Sequence, residues 1–337
     1  MKKILVTGGA GFIGSNFVRM VLTEQPDCFI VNLDKLTYAG NLENLTGFLE
    51  HKNHKFIKGD ICDGELIAKI IDEYKIDAII NFAAESHVDR SISEPKIFID
   101  TNIAGTLTLL EAARDKKLER FIQISTDEVY GELGPDGMFT EQTPLSPNSP
   151  YSASKASADH LVRAFGHTWG IKYNITRCSN NYGEYQFPEK MIPLMINNAL
   201  NDKDLPVYGD GLNVRDWLYV YDHCTAIWQV FEKAPSGEIY NIGGCNEKTN
   251  LEVIGLILNR LKKPQSLIKF VKDRLGHDRR YAIDATKIMN ELGWKPSVIF
   301  EEGIVKTIDW YLQNQEWLQN VVSGDYQKYY ESMYENR

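Results

Sequence analysis

The sequence predicts an α/β protein in which a doubly wound parallel sheet is joined by a second, smaller α/β domain. Three observations carry that expectation. Short apolar runs alternate with helical patterns through the first half of the chain, which is the signature of a parallel sheet covered on both faces. A spaced glycine loop follows the first of these runs, at Gly8, Gly11 and Gly14. The texture then changes near Glu184, after which helices alternate with isolated short strands. We expect residues 1–183 to form the sheet domain, with about 217–242 returning to it, and 184–337 to form the second.

Taken in order, Ile4-Leu5-Val6-Thr7 reads as a buried strand, with a helix running from the glycine loop to about Thr23. Glycines there permit a tight turn and let a pyrophosphate rest on amide groups at the positive end of the helix. This is the dinucleotide-binding, or Rossmann, arrangement. The second strand, Phe29 to Leu33, ends at Asp34, 20 residues after Gly14. A carboxylate at that spacing accepts from both ribose hydroxyls and repels a 2′-phosphate, so the cofactor expected is NAD rather than NADP. The third strand, Phe56 to Lys58, leads to Asp60 and Ile61, placed to flank the adenine, and a helix follows to about Tyr74. A fourth strand, Ala78 to Phe82, ends in Ala83-Ala84-Glu85-Ser86-His87, whose small residues allow close approach of a cofactor. His87 is read as a structural histidine.

Glu94 to Lys116 reads as one long helix containing Thr101, and its apolar stripe suits either the parent sheet or an intersubunit bundle. Phe121 to Ser125 is the next strand, ending in Thr126, Asp127 and Glu128 where an open α/β sheet binds its ligands. After a Pro-rich loop comes Tyr151-Ser152-Ala153-Ser154-Lys155. On a helix, Tyr151 and Lys155 are i and i+4 neighbours, so the ammonium can sit near the phenol. Ile171 to Arg177 forms another strand, with Cys178-Ser179-Asn180-Asn181-Tyr182-Gly183 at its polar end. Beyond it, Glu189 to Asn201 reads as a helix and Pro206-Val207-Tyr208 as a short strand.

Composition narrows the function classes. With 43% apolar and 25% charged residues the chain is an ordinary globular one, and a net charge of −9 argues against a nucleic-acid surface. Five widely spaced cysteines without a C-x-x-C pair fit free thiols in a reducing cytoplasm, with neither a disulfide framework nor a metal site. No signal-peptide pattern opens the chain and no apolar run approaches the ~18 residues of a membrane span.

Thr-Gly-x-x-Gly-Phe-Ile-Gly at residues 7 to 14 together with Tyr151-x-x-x-Lys155 resembles the extended short-chain dehydrogenase/reductase family over the full chain. Within it, Thr126-Asp127-Glu128, the Ala84 to Ser91 run, the Cys178 to Gly183 run, Phe187-Pro188-Glu189-Lys190, Arg215-Asp216-Trp217 and the Gly276 to Asp284 run are similar to the dTDP-glucose 4,6-dehydratases. The resemblance implies a homodimer, NAD, and a nucleotide-sugar substrate. It assigns Thr126, Ser86 and Asn180 to the sugar. Asn181 and Thr101 face the cofactor, which also meets Phe12, Ile13, Lys35, Thr37 and Phe82. It gives the nucleotide diphosphate to Lys190, Met191, Pro206, Val207, Tyr208, Arg215, Asn250, Asp273, Arg274 and His277, with Tyr326 joining them. Arg279 and Arg280 add fixed donors nearby, although surface ion pairing is the simpler use of such a pair. Glu184 and Leu275 stand where the family usually has proline.

The implied chemistry explains the residue types. The C5 proton of a hexose becomes acidic once C4 is oxidised to a ketone, so water can then leave across C5 and C6. Tyr151 takes the C4 hydroxyl proton, Glu128 the C5 proton, and Asp127 protonates the departing C6 hydroxyl. A free phenol titrates near ~10, so Tyr151 needs Lys155 and the nicotinamide charge. Two other readings stay open: a nucleotide-sugar 4-epimerase or decarboxylase, which has no need of the acid pair, and an NAD-binding regulator without turnover. Thymine and uracil differ by one methyl group, which no sequence pattern here decides.

Overall fold

The protein is described by a computed structural model covering residues 1–273 and 275–322. Arg274 and Tyr326, expected at the nucleotide, lie outside the described residues.

Seven strands form one all-parallel sheet: β1 (Lys2–Thr7), β2 (Cys28–Asp34), β3 (His54–Lys58), β4 (Ala78–Asn81), β5 (Arg120–Thr126), β6 (Tyr173–Cys178) and a late strand (Ile239–Ile242). The order across the sheet is β3-β2-β1-β4-β5-β6 and then the late strand. The chain winds outward to one side of β1 and then to the other, so a crevice opens where the order reverses, at the carboxyl ends of β1 and β4. Register brings the functional ends level, with Thr7 beside Leu33 and Asn81, and Thr126 beside Cys178.

Alternation along each strand sorts the core into two layers. Ile4, Val6, Ile30, Ile80 and Ile122 point to one face, under the helices Phe12–Glu24 and Val220–Lys233, whose Phe17, Val21, Ile227 and Val230 complete that layer. Leu5, Val31, Ile79 and Phe121 point to the other, where Ile67, Ile71, Leu109, Leu110 and Val162 cover them. Phe165 joins this layer from the helix Pro150–Trp169, so the segment that carries Tyr151 is held by its apolar face.

A second core gathers Tyr182, Leu194, Trp217, Ile254, Phe300, Ile308, Tyr311 and Trp317. It joins the helices Met191–Leu200, Asn250–Leu261, Phe300–Gln313 and Gln315–Val321 to a three-stranded sheet of Asn180–Tyr182, Val214–Tyr219 and Glu247–Thr249. Leu205–Tyr208 pairs in parallel with Ile268–Val271.

One expectation needs correction. The stretch read as a single long helix from Glu94 is α-helical at Pro95–Phe98 and Thr106–Asp115, with wider π turns at Ile99–Gly105 between them. Such turns recur at functional sites, and here they carry Thr101 and Asn102. The Asn102 amide grips both backbone groups of Glu85, accepting from its N–H at 2.8 Å and donating to its carbonyl at 3.0 Å, and donates again to Ser154 Oγ at 2.8 Å. Period-3.6 patterning cannot register that demand.

Candidate active site

The first cleft is built by close backbone packing at the glycines. Gly8 has φ +72°, and a Cβ there would lie 2.6 Å from the Ala83 nitrogen; one on Gly14 would lie 2.2 Å from the Gly8 carbonyl oxygen. Only glycine fits either position. The helix Phe12–Glu24 then starts from an extended Gly11 with no side chain capping it and no acid in its first turn, leaving its positive end open to an anion. Across the turn, Asp34 is held by two backbone amides, Ala10 N–H to Oδ2 at 2.9 Å and Leu36 N–H to Oδ1 at 2.8 Å. Burial pushes its pKa up and those amides pull it back. An uncapped helix start, a glycine cradle and an anchored carboxylate together fit a dinucleotide.

This cleft, about 300 Å³, is lined by every residue expected at the cofactor: Gly8, Gly11, Phe12, Ile13, Gly14, Asp34, Lys35, Thr37, Asp60, Ile61, Phe82, Ala83, Ala84, Ser86, Thr101, Tyr151, Lys155 and Asn181. Lys35 pairs with Asp60 at 2.7 Å on its rim. Gly40 and Gln186 also line it without having been singled out in the sequence, and Glu85, Cys178 and Phe187 line it from runs that carry the resemblance.

At the far end β5 delivers its polar terminus. Thr126 caps a 3₁₀ turn, Asp127–Tyr130, by accepting from the Glu128 N–H at 3.3 Å, and its hydroxyl donates to Asp127 Oδ1 at 3.2 Å. Asp127 is 2% exposed and its Oδ2 is buried without a partner. Its pKa is driven far above the carboxylate range, first by burial and then by the charges of Glu128 and Asp216, with Arg215 opposing. Burial thus favours the protonated form of Asp127, whereas Glu128 is only half-buried at the mouth. Neighbouring carboxyls in unlike surroundings are how a site separates an acid from a base.

Opposite them, the helix Pro150–Trp169 begins with a capping box between Ser149 and Ser152 and proline in its first turn, which fixes the turn bearing Tyr151. The buried phenol has its pKa raised by desolvation and then by the Glu128 charge, while the Thr126 hydroxyl works the other way. The Lys155 ammonium donates to the Ile124 carbonyl of β5 at 2.6 Å, and burial lowers its pKa. Its hydrogen bond thus goes to the strand and not to the phenol. Asn181 is oriented by its own donation to Ser179 O and by the Nδ1 of His223, each 2.9 Å away. Burial depresses His223 to about 3, so it stays neutral and serves as the donor to the Asn181 oxygen.

A second cleft, about 170 Å³, opens from the first and shares Glu128, Asn180, Asn181, Gln186 and Lys190 with it. Met191, Pro206, Val207, Tyr208, Arg215, Asn250 and His277 line it as expected. So do Asp89, Trp217 and His87, the last of which the sequence reading had set aside as structural. Lys190 Nζ donates to the Ser86 carbonyl at 2.8 Å. Arg215 is braced by the carbonyls of Val214 and Asp278 and lies 4.3 Å over the Tyr281 ring. Asp273 stands behind the lining, its carboxylate 2.6 Å from His277 Nδ1. Arg279 and Arg280 line neither cleft and instead pair with Asp210 and Glu247 at the surface. Glu184 also stays out of both clefts, accepting from the Tyr219 hydroxyl at 2.6 Å while its carbonyl takes Asn16 Nδ2 at 3.0 Å. Leu275 is 76% exposed.

Among the described residues no group of three or more His, Cys, Asp or Glu is placed to hold a metal, and no helix is long and apolar enough to cross a membrane.

Comparison with known proteins agrees with this geometry. The family model described as GDP-mannose 4,6 dehydratase matches residues 5–307. A curated dTDP-glucose 4,6-dehydratase of Xanthomonas campestris pv. campestris is 55% identical, with 96% of each chain covered. The solved dTDP-glucose 4,6-dehydratase of Bacillus anthracis, in complex with NAD, superposes with a TM-score of 0.90 at 53% identity, covering 95% of this chain and 100% of the other. That of Streptomyces venezuelae, with NAD and dTDP bound, gives 0.92 at 48%, covering 95% and 99%. With its parallel sheet, its glycine cradle and its Tyr-Lys helix, the chain belongs to this family of nucleotide-sugar 4,6-dehydratases within the extended short-chain dehydrogenase/reductases.

Proposed function

We propose that the chain converts dTDP-glucose to dTDP-4-keto-6-deoxyglucose and water. The observation that carries this reading is the acid pair, with Asp127 buried and its pKa driven upward and Glu128 where the two clefts meet, both lining the cleft that holds Tyr151. An epimerase or decarboxylase on the same scaffold uses Tyr151 and Lys155 without needing the pair.

The first cleft takes NAD, with its pyrophosphate on the amides after Gly11 and its ribose on Asp34. When bound, NAD would supply a transient acceptor for the C4 hydride, which returns to C6, and a positive charge that favours a phenolate. The chain's own groups move the protons. Tyr151 accepts the C4 hydroxyl proton. Glu128 takes the proton from C5, which the C4 ketone has made acidic. Asp127 gives its proton to the C6 oxygen, which leaves as water. Glu128 then gives its proton back to C5 as the hydride reaches C6, while the proton held by Tyr151 restores Asp127 through solvent. Thr126 and Ser86 position the hexose with Asn180, while Lys190, Arg215 and His277 neutralise the diphosphate.

The proposed division of labour gives 1–183 with about 217–242 to the cofactor and the rest of 184–337 to the nucleotide sugar, although Tyr182, Trp217 and Tyr219 pack in the second core. The cytoplasm is the compartment proposed, supported by five unpaired cysteines. A homodimer is the proposed assembly, supported by the resemblance. The test of the activity is incubation of the purified protein with dTDP-glucose, UDP-glucose and GDP-mannose in parallel. Formation of a 4-keto-6-deoxy product from dTDP-glucose is expected; epimer formation without loss of water would overturn the reading.

A further inference from the structure

Asp89 carries an acceptor that the proposed chemistry does not use. It lies on the short helix Val88–Ser93 that leads away from Ser86 and His87 at the end of β4, is 7% exposed, and lines the second cleft. Its Oδ2 accepts from the Tyr208 hydroxyl at 3.1 Å, whereas Oδ1 is buried with no hydrogen-bond partner. Two other carboxylate oxygens share that condition among the described residues. One belongs to Asp127, whose pKa burial drives upward, and the other to Asp159, whose second oxygen is ion-paired with Arg177. Asp89 has no ion pair among the described residues.

A desolvated acceptor without a donor is costly, and buried polar atoms rarely stay unmatched. The partner missing at Asp89 has to be an N–H or O–H, because a carboxylate oxygen only accepts. It cannot be the diphosphate, which a carboxylate repels and which the cations Lys190 and Arg215 of the same cleft attract. That leaves the uncharged parts of the substrate, namely the nucleoside or the hexose.

On the nucleotide-sugar reading above, we infer that Asp89 is a substrate-contacting residue whose Oδ1 accepts a hydrogen from a neutral N–H or O–H of the nucleotide sugar. Lining the same cleft as Lys190, Arg215 and Glu128, this acceptor fixes the register of the ligand there. A substrate shifted by one group would bring an anion against Asp89, so the carboxylate also rejects misplacement.

The test uses holoenzyme carrying Asp89→Ala, which removes the acceptor, and Asp89→Asn, which keeps one oxygen at nearly the same place. We expect Asp89→Ala to raise KM for dTDP-glucose tenfold or more, a larger change than its fall in kcat, with Asp89→Asn recovering most of the loss. Titration with dTDP alone locates the donor. Weakening of dTDP to the same extent puts it on the nucleoside, and dTDP binding as in the wild type puts it on the hexose. Should neither ligand weaken more than twofold in Asp89→Ala, Oδ1 is served by water and the inference falls. If that variant does not accumulate as folded, NAD-loaded protein, Asp89→Ser replaces it under the same criteria. Failure of the wild type itself to bind dTDP or dTDP-glucose is a separate result, which removes the nucleotide-sugar reading and this inference with it.

Discussion

Asp127 and Glu128 are adjacent in sequence and of the same chemical type, yet the fold gives them opposite protonation tasks. Burial, Glu128 and Asp216 hold the proton on Asp127. Replacing Glu128 by Gln removes the base and leaves the Tyr151 step intact. The Glu128→Gln protein is expected to form the 4-keto hexose in single turnover but to lose exchange of the C5 hydrogen with solvent deuterium, read by mass spectrometry of recovered sugar. Glu189 presents a different residue-scale case. It accepts from the Tyr38 hydroxyl at 3.0 Å, and burial pushes its pKa from 4.5 to about 7 despite the nearby Lys190 and Arg90 charges. Because its folded pKa is raised, ionisation is harder in the native state than in the unfolded chain. The resulting penalty is absent below about pH 4.5, grows as pH rises through the interval to about 7, and then levels off at on the order of 3 kcal/mol. Glu189→Gln should therefore melt higher than the wild type at pH 8, with the difference closing toward pH 5, as differential scanning fluorimetry would read.

At the scale of elements, the helix Pro150–Trp169 is both a core element and a carrier of chemistry. Its apolar face packs Val162 and Phe165 into the sheet, while its first two turns present Tyr151 and Lys155. The capping box is the device that keeps those turns wound: Ser149 Oγ accepts from Ser152 N–H at 3.1 Å and Ser152 Oγ from Ser149 N–H at 3.0 Å. Ser149→Ala should cost about 1 kcal/mol of stability. Fraying would reach Tyr151 before it reached the packed end, so kcat should fall several-fold in that variant while the affinity for dTDP, measured by titration, stays within about twofold. Equal loss of both would mean that the whole helix had shifted. The π turns at Ile99–Gly105 are the companion device, because Asn102 links the Glu85 backbone beside the cofactor cleft to Ser154 on the same helix. The sequence offered a polar residue in an apolar helix at Asn102 and nothing more, since what it holds lies 17 residues earlier and 52 later.

For the whole molecule, the two cores meet along the cleft, so ligand binding draws on both. A ligand that binds only the native form stabilises it by about 2.7 kcal/mol at a hundredfold excess over Kd. Addition of dTDP at that excess should raise Tm by several degrees, and dUDP at the same concentration reports how much the thymine methyl contributes. A Tm unmoved by dTDP would separate the second cleft from nucleotide binding.

Much of this was legible in the chain. Glycine spacing, the carboxylate ending β2, and the i, i+4 placement of Tyr151 and Lys155 are local facts, and local facts survive folding because backbone geometry alone enforces them. The outer part of the site was less legible. Arg279 and Arg280 promised donors but spend them on surface partners, Arg215 alone of those three reaches the cleft, and His87 turned out to line it. The upward push on the Asp127 pKa comes first from burial, with Asp216, 89 positions away, adding to its neighbour Glu128, and Asp89 meets Tyr208 only across the folded cleft. Charge state and hydrogen-bond matching depend on burial and on neighbours remote in sequence, so they were decided by the tertiary structure. The sequence by itself determined which groups arrive at the cleft, because strand and helix periodicity fix which side chains stand at each element's end.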